Sequence, residues 1–317
     1  MTIAEILNKL ACGLAQILGT GLAFCKFNFK QPKTIALIQK GYKFLPGDDF
    51  DLAAIKELQQ RGKAIILQGV TDFVDNTPDN DRRTFGATGK MTTTLKHPYL
   101  WTFTFDNGLQ FYKAVVALES NEEYDIILFD VMGNALLAKD PQGNGRGLDL
   151  GLFDTGKYVI GNENSETITV QVDRYNFDSQ VAWIEAANLD FNAGQDLDGY
   201  NDLAIVMIAP ANAATTIDFS VHVGDGTASG TPKLVALEGL AASDLLLQKT
   251  VAGVTTTVTK TMAAGAVAGE YVLTVPAVAT GDVYTLRTND AVLVPPTEII
   301  DLDGVLYKSN TASTIVV

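Results

Sequence analysis

The stretch YLWTFTF, residues 99–105, indicates the fold class of this chain. Its aromatic residues, Trp101, Phe103 and Phe105, alternate with threonines, which is the period of two that a strand shows when one face is buried and the other is wet. The segment SETITVQVDR, residues 165–174, repeats this pattern with β-branched apolar residues on one face and polar residues on the other. Half-buried strands of this kind predict a mainly β protein.

The neighbouring sequence supplies the other elements of a first domain. Leu52, Ile55 and Leu58 recur at helical spacing between an Asp and Gly62, which predicts a short helix over 51–61. The remaining predictions are strands at 64–70, 124–130, 135–138 and 148–160, a helix at 109–118, a glycine-rich loop at 141–147 and a buried strand at 203–208 that closes the domain.

Residues 71–94 form a long polar stretch, TDFVDNTPDNDRRTFGATGKMTTT. We predict a loop here, because the stretch lacks a regular apolar pattern. Ordered domains seldom keep such long loops without a use, so this loop is also predicted to make contacts with another molecule.

The distribution of aromatic residues divides the chain. Of the 15 Phe, 10 Tyr and 2 Trp residues, only Phe219, Tyr271, Tyr284 and Tyr307 follow Ala211. The later sequence is rich in Ala, Thr, Val and Gly and predicts five or six short strands with frequent turns, as in an immunoglobulin-like sandwich. The predicted organisation is an N-terminal arm at 1–29, a β-sandwich or barrel-forming domain with a few short helices at 30–210, and an immunoglobulin-like β-sandwich with a C-terminal tail at 211–317.

Composition argues against several classes of function. The formal net charge of -14 and the pI near 4.5 leave no dominant basic face, so tight binding to a phosphate backbone is not expected. The two histidines, His97 and His222, and the two cysteines, Cys12 and Cys25, supply little material for a metal site, a disulfide framework or a catalytic centre. We expect no enzyme activity, no cofactor and no metal.

Three motifs carry alternative interpretations. The cluster DLDGYND, residues 196–202, could hold calcium or form a solvated turn, and it does not match the twelve-residue calcium loop. PQGNGRG, residues 141–147, lacks the helix and lysine of phosphate-binding loops and is interpreted as a hairpin loop. Acidic pairs such as Glu122 with Glu123 could suggest a glycosidase, but any acidic sequence supplies such pairs.

The segment LACGLAQILGTGLAFC, residues 10–25, contains no charged residue. It is shorter than the roughly 20 residues that a membrane helix needs, and Glu5 interrupts the basic leader of a secretion signal. We therefore expect an ordered arm that a partner covers, and no membrane partner. The predicted contact residues of this arm are Leu10, Leu14, Ile17, Leu18 and Phe24.

The order of elements over residues 99–174 resembles the major tail tube proteins of bacteriophages. TFTF is followed by the helix FYKAVVAL, the strand YDIILFD with its turn, the strand GLDLGLFDTGKYVI and then SETITVQVDR. In that family, four strands of each subunit join a barrel that is continuous around a ring, usually hexameric. A C-terminal immunoglobulin-like domain is common and lies outside the tube. The region 1–63 departs from the simplest members of the family, which lack it.

The resemblance implies a structural virion protein of the tail, assembled in the host cytoplasm. Its partners would be copies of itself in stacked homo-oligomeric rings, other tail proteins, and double-stranded DNA that passes without specific binding. Two alternatives remain open at this point: a phage capsid or decoration protein, and a surface adhesin or carbohydrate-binding module. The resemblance implies lumen-facing positions at Thr102, Thr104, Thr169, Gln171 and Asp173, and contacts between rings at Asp75, Asp79, Arg82, Arg83 and Phe85.

Overall fold

The computed structural model describes residues 1–8, 29–85, 89–119, 123–160, 165–223 and 235–317. Strands account for 48% of the described residues and helices for 14%, so the protein is mainly β, as the alternating segments predict. The chain divides into two compact units between Asp198 and Gly199. The predicted boundary between residues 210 and 211 lies C-terminal to this division.

Unit 1, Met1–Asp198, is built on one curled sheet of eleven strands. Its central strands, β1 (Pro32–Gln39) and β8 (Tyr124–Asp130), are antiparallel, with Ala36 opposite Ile127. Both are buried along most of their length because both faces of the sheet are covered, which explains their continuous apolar runs. The other strands of unit 1 are β2 (Lys43–Phe44), β3 (Ala64–Gln68), β4 (Val70–Asp75), β5 (Asp81–Phe85), β6 (Lys90–Leu95), β7 (Tyr99–Phe105), β9 (Ala135–Lys139), β10 (Gly145–Arg146), β11 (Leu148–Thr155), β12 (Glu166–Val172) and β13 (Val181–Ile184).

Two cores lie on opposite faces of the central strands. Ala36 and Ile127 belong to a core that the N-terminal helices cover, whereas Leu37 and Ile126 belong to a core shared with the aromatic side chains of β7. Unit 1 is therefore layered, with the N-terminal helices on one side of the central strands and the curled part of the sheet on the other. Its helices are α1 (Ile3–Asn8), α2 (Leu52–Gln60), α3 (Leu109–Val116), α4 (Arg174–Gln180) and α5 (Ala193–Asp196).

The helix predicted at 51–61 is confirmed as α2. The Asp51 carboxylate accepts the Ala54 N–H at 2.8 Å and caps the first turn. Ile55 and Leu58 are buried, and Gly62 takes a positive φ of 68° just beyond the helix. Such a left-handed conformation ends a helix at little steric cost only when the residue is glycine.

The first residues of the predicted arm belong to unit 1. Ile3, Ile6 and Leu7 of α1 are buried in the same core as α2. The Ile3 N–H also donates to the Asp48 carbonyl at 2.8 Å. Residues 9–28, with all five predicted contact residues of the arm, lie outside the described residues.

The polar stretch at 71–94 is not a loop. Thr71–Asp75 continue strand β4, and β5 and β6 form a separate two-stranded hairpin with Arg83 opposite Thr92. The prediction was wrong because the hairpin pairs through backbone groups and exposed polar side chains. Its described side chains are exposed, so burial imposes no apolar alternation on this part of the sequence.

Two turns of the same sequence type connect strands in unit 1. Asp130 in DVMGN and Asp140 in DPQGN each accept the N–H groups of the residues two and four positions later. The second turn lies in the predicted glycine-rich loop at 141–147, which also contains the short strand β10. Buried hydrogen bonds to one carboxylate thus fix both connections.

Unit 2, Gly199–Val317, is a β-sandwich of two sheets around a single core. Its first strand overturns one prediction: the segment 203–208 does not close the first domain, because Leu203 lies opposite Val223 within the sandwich. An apolar run shows that a strand is buried but not which sheet receives it. The strands are β14 (Asn201–Met207), β15 (Thr216–Val223), β16 (Val235–Ala236), β17 (Leu245–Val251), β18 (Val254–Thr257), β19 (Thr261–Ala264), β20 (Glu270–Thr274), β21 (Val283–Thr288), β22 (Ile299–Leu302), β23 (Val305–Ser309) and β24 (Ala312–Ile315).

Candidate functional site

The curled part of the sheet in unit 1 is an antiparallel ribbon of four strands in the order β11, β12, β7, β4. One face of this ribbon is the core face, where Phe103 lies opposite Ile168 and Phe73. Trp101, Phe103 and Phe105 are all buried there, as their alternation predicts. The other face of the ribbon points away from the core.

This outer face carries polar pairs across neighbouring strands. The hydroxyl oxygens of Thr102 and Thr169 are 3.2 Å apart, and Thr104 lies opposite Thr167. Gln171 continues the row on β12. The structure thus brings Thr102, Thr104, Thr169 and Gln171 together on one partly exposed face.

Asp173 lies just beyond the strand that carries Gln171. Strand β12 ends at Val172, and the Asp173 carboxylate instead accepts the Asn176 N–H at 2.7 Å as the N-cap of α4. The alternation of polar and apolar residues in QVDR holds only as far as the end of the strand. An Asp at that point accepts hydrogen bonds from the free N–H groups of the following helix.

Two acidic residues on the outer face were missed in the sequence. Asp72 lies opposite Thr104, and Asp154 lies opposite Thr169. Both are exposed. The alternation in LDLGLFDT could have placed Asp154, but Asp72 lies in the stretch interpreted as a loop. The described strand positions on this face carry no basic side chain. They also include Val74, Leu100 and Leu152, so the face combines polar, acidic and apolar residues.

The ribbon has two free edges. Within the described residues, no strand pairs with the outer side of β4, and none pairs with the outer side of β11 beyond Asp149. Because the four strands alternate in direction, the edge strands β4 and β11 run in opposite directions. An exposed edge of this kind is a template for another strand.

Hydrogen bonds to the inner strands identify which edge groups point outward. The Asn76 N–H reaches Leu100 O at 2.8 Å, and the Gly156 N–H reaches Thr167 O at 2.7 Å. Because backbone groups alternate in side along a strand, the N–H groups of Asp75 and Thr155 point away from the ribbon.

Acidic side chains lie along both edges. The Asp72 carboxylate accepts the Phe73 N–H at 2.8 Å, and the Glu119 carboxylate accepts the Thr155 hydroxyl. Charged groups on an edge oppose indiscriminate pairing with other strands. A partner strand must therefore replace these local contacts.

The hairpin β5–β6 connects the end of β4 to the start of β7, at one end of the ribbon. Arg82 and Arg83 are exposed on β5, and Asp79 is exposed in the connection before it. Asp75, by contrast, is the last residue of β4. For Phe85, the structure describes only the backbone, which lies opposite Lys90. These predicted contact residues therefore occupy a strand end, a connection and a hairpin, where a single loop had been predicted.

Arg174 fixes the base of this hairpin and was not identified in the sequence. Its guanidinium donates to Asn80 Oδ1 at 2.6 Å and to the His97 carbonyl at 3.3 Å, and it lies over the Tyr99 ring. Burial, and then the hydrogen bond to Asp178, raise the pKa of Tyr99, so its phenol stays protonated and donates. No sequence motif marks this cluster, because its three parts, Asn80, residues 97–99 and residues 174–178, are far apart in the chain.

The acidic cluster at 196–202 is divided between elements. Asp196 belongs to α5, and Asp202 lies in β14. In the described part of the chain, no group of three or more His, Cys, Asp or Glu side chains is arranged to hold a metal ion. No helix within the described ranges is long and apolar enough to span a membrane.

A scan against protein-family models found no match, and a search of curated proteins found none either.

Proposed function

We propose that this protein is a non-enzymatic structural subunit of a bacteriophage tail tube, in which copies form rings that stack into a conduit for DNA. The observation that carries this proposal is the open ribbon of four strands with edges that run in opposite directions. A neighbour related by rotation about an axis along the strands presents its β11 antiparallel to β4. Repetition around the ring then gives every strand a partner and leaves no edge.

The dimensions of such a ring suit duplex DNA. A hexameric ring holds about 24 strands, which close to a backbone diameter of roughly 48 Å for a spacing of ~4.8 Å and a tilt of ~40°. About 38 Å remains inside the side chains, which is wider than the duplex. The outer face with Thr102, Thr169 and Asp154 lines this lumen in the proposed tube. Its acidic and neutral groups offer phosphates no cation to bind, so DNA slides past.

The other parts of the chain fit the same assembly. The hairpin β5–β6, with Arg82 and Arg83, lies at one end of the ribbon and is proposed to contact the adjacent ring. Unit 2 is proposed to decorate the outside of the tube. The assembly belongs to the virion tail and forms in the host cytoplasm, with other tail proteins at its ends.

Negative-stain electron microscopy and native mass spectrometry of the purified chain test the proposal. We expect hexameric rings or hollow tubes with a lumen near 40 Å, the width that the strand arithmetic gives. Closed shells would favour the capsid alternative. A monomer at every concentration, with glycan binding by residues 199–317, would favour the adhesin and contradict the proposal.

A further inference from the structure

Helix α3 and the segment after β11 share an exposed apolar patch in unit 1. Ile160 is 84% exposed, Leu109 48%, Val159 41% and Val116 38%. Tyr112 on the same side of α3 contacts Tyr158, with ring centroids 5.5 Å apart. Single exposed apolar residues are common, but four of them on one helix side and on the segment that Tyr112 contacts indicate a contact surface. We call these residues the α3 patch: Leu109, Tyr112, Val116, Val159 and Ile160.

The α3 patch lies on a different side of the helix from the side chains that pack α3 against the core. Val115 is buried in the core beneath the ribbon, and Phe111 and Leu118 pack against that core. Leu109, Tyr112 and Val116 follow one another at the three- and four-residue spacing of a second helical stripe. A helix with two apolar stripes and one partner requires something further to cover the second stripe.

The α3 patch adjoins the free edge of β11. Thr155, the last residue of that strand, donates its hydroxyl to Glu119, just beyond α3. Val159 follows in the chain and pairs with Ser165. Any strand that joins the ribbon along β11 therefore comes close to the patch.

The uncharged segment 10–25 joins the fold at the opposite edge. Phe29 packs against the ribbon core, and the Gln31 side chain donates to the Thr71 carbonyl at 2.8 Å. Lys33 Nζ reaches the Val70 carbonyl at 3.5 Å. The chain that follows this segment thus lies at the start of β4.

The start of β4 and the end of β11 lie at the same end of the ribbon. Val70 at the start of β4 lies opposite Phe105 at the end of β7. Thr155 at the end of β11 lies opposite Ile168, which in turn pairs with Phe103. The attachment of segment 10–25 and the α3 patch therefore lie at the same end of the ribbon but on opposite edges, and pairing of β4 with a neighbour's β11 brings them together.

We propose that residues 10–25 of one copy pack on the α3 patch of the next copy in the ring. This inference rests on the proposed function, since only ring closure makes the two edges neighbours. The twenty residues 9–28 can span at most about 66 Å when extended. Contact between an uncharged segment and an apolar patch is favourable in free energy, because it removes apolar surface of both from water.

The two cysteines of the chain, Cys12 and Cys25, both lie in the segment and serve as reporters. In Ile160→Cys, a short bismaleimide cross-linker should join neighbouring chains into covalent oligomers that end at the ring size. The ladder should disappear when Cys12 and Cys25 are replaced by Ser. Val292→Cys in unit 2 is the matched control, because Val292 is 85% exposed and lies outside the patch.

Electron microscopy of the same samples distinguishes failure of the segment contact from failure of the tube proposal. Rings in which the cross-link forms only within one chain, or does not form, would overturn this inference and leave the tube proposal standing. An equal ladder from Val292→Cys would show that the contact is unspecific and would also overturn it. Absence of any assembly would refute both.

Discussion

At the scale of single residues, close approach of backbones decides where glycine is required. A Cβ on Gly147 would lie 2.6 Å from the Asp125 Cβ and 2.9 Å from the Asp125 carbonyl carbon. The position between β10 and β11 thus tolerates no side chain. A Cβ on Gly47, by contrast, would meet nothing within 4 Å.

We predict that Gly147→Ala lowers the free energy of unfolding of unit 1 by roughly 1–3 kcal/mol, because backbone and a buried carboxylate must shift. Chemical denaturation followed by tryptophan fluorescence measures this, since both Trp residues lie in unit 1. Gly47→Ala is the control and should change stability by no more than about 1 kcal/mol. Equal effects of the two substitutions would contradict the packing argument.

A pH dependence follows from Asp140. Burial raises the pKa of its carboxyl, but hydrogen bonds from Asn144 and Lys43 outweigh burial and lower the pKa to about 2. The folded pKa is below the unfolded value, so the stabilisation is present above about pH 4 and is lost as pH falls towards 2. We predict that Asp140→Asn removes this part of the acid dependence, measured as unfolding free energy against pH. Lys43→Met should shift the loss of this stabilisation to higher pH. An unchanged stability profile in both variants would refute the role assigned to Asp140.

At the scale of elements, the two faces of β7 have different roles. Phe103 is fully buried in the core, whereas Thr102 lies on the outer face. We predict that Phe103→Ala destabilises unit 1 by about 3–5 kcal/mol, since it removes a large buried ring and leaves a cavity. Thr102→Ala should cost less than about 1 kcal/mol in the same denaturation experiment. Similar costs would mean that the outer face is buried as well.

The edge of β11 allows assembly to be tested apart from folding. Thr155→Pro removes a backbone N–H that points away from the ribbon and leaves the pairing with β12 intact. We predict an unchanged circular dichroism spectrum and loss of rings in electron microscopy. Thr155→Val keeps the N–H and removes only the hydroxyl, so it should still assemble. Rings formed by the Pro variant would exclude this edge from the interface.

Elements with a buried face were predictable. The helix α2 and the strands β7, β8 and β12 follow from apolar spacing, because burial selects the residue type at each position. The hairpin β5–β6 was missed because its side chains, where described, are exposed, and exposure places no such demand on the sequence. Of the proposed lumen face, the threonines and Gln171 were predicted, but Asp72 required the register of β4.

At the scale of the whole molecule, the acidic charge has a testable consequence for DNA. The net charge of -14 and the acidic outer face predict an assembly that does not retain duplex DNA. We expect Asp72→Lys with Asp154→Lys to create tubes that bind duplex at low salt and release it as salt rises, measured by filter binding. Matched Asn variants remove the charge without adding a cation and should bind weakly or not at all. Retention of DNA by the unaltered assembly would contradict the lumen assignment.

The amino-acid sequence by itself determined that the protein is mainly β, which strands have one buried face, and that a second sandwich follows the first unit. These properties are local, because alternation and helical spacing record burial residue by residue. Only the tertiary structure decided that β14 joins the second unit, that Arg174 anchors the hairpin, and that β4 and β11 are left as edges. Pairing between strands depends on contacts between residues far apart in the chain, and such contacts leave no periodic signal in the sequence.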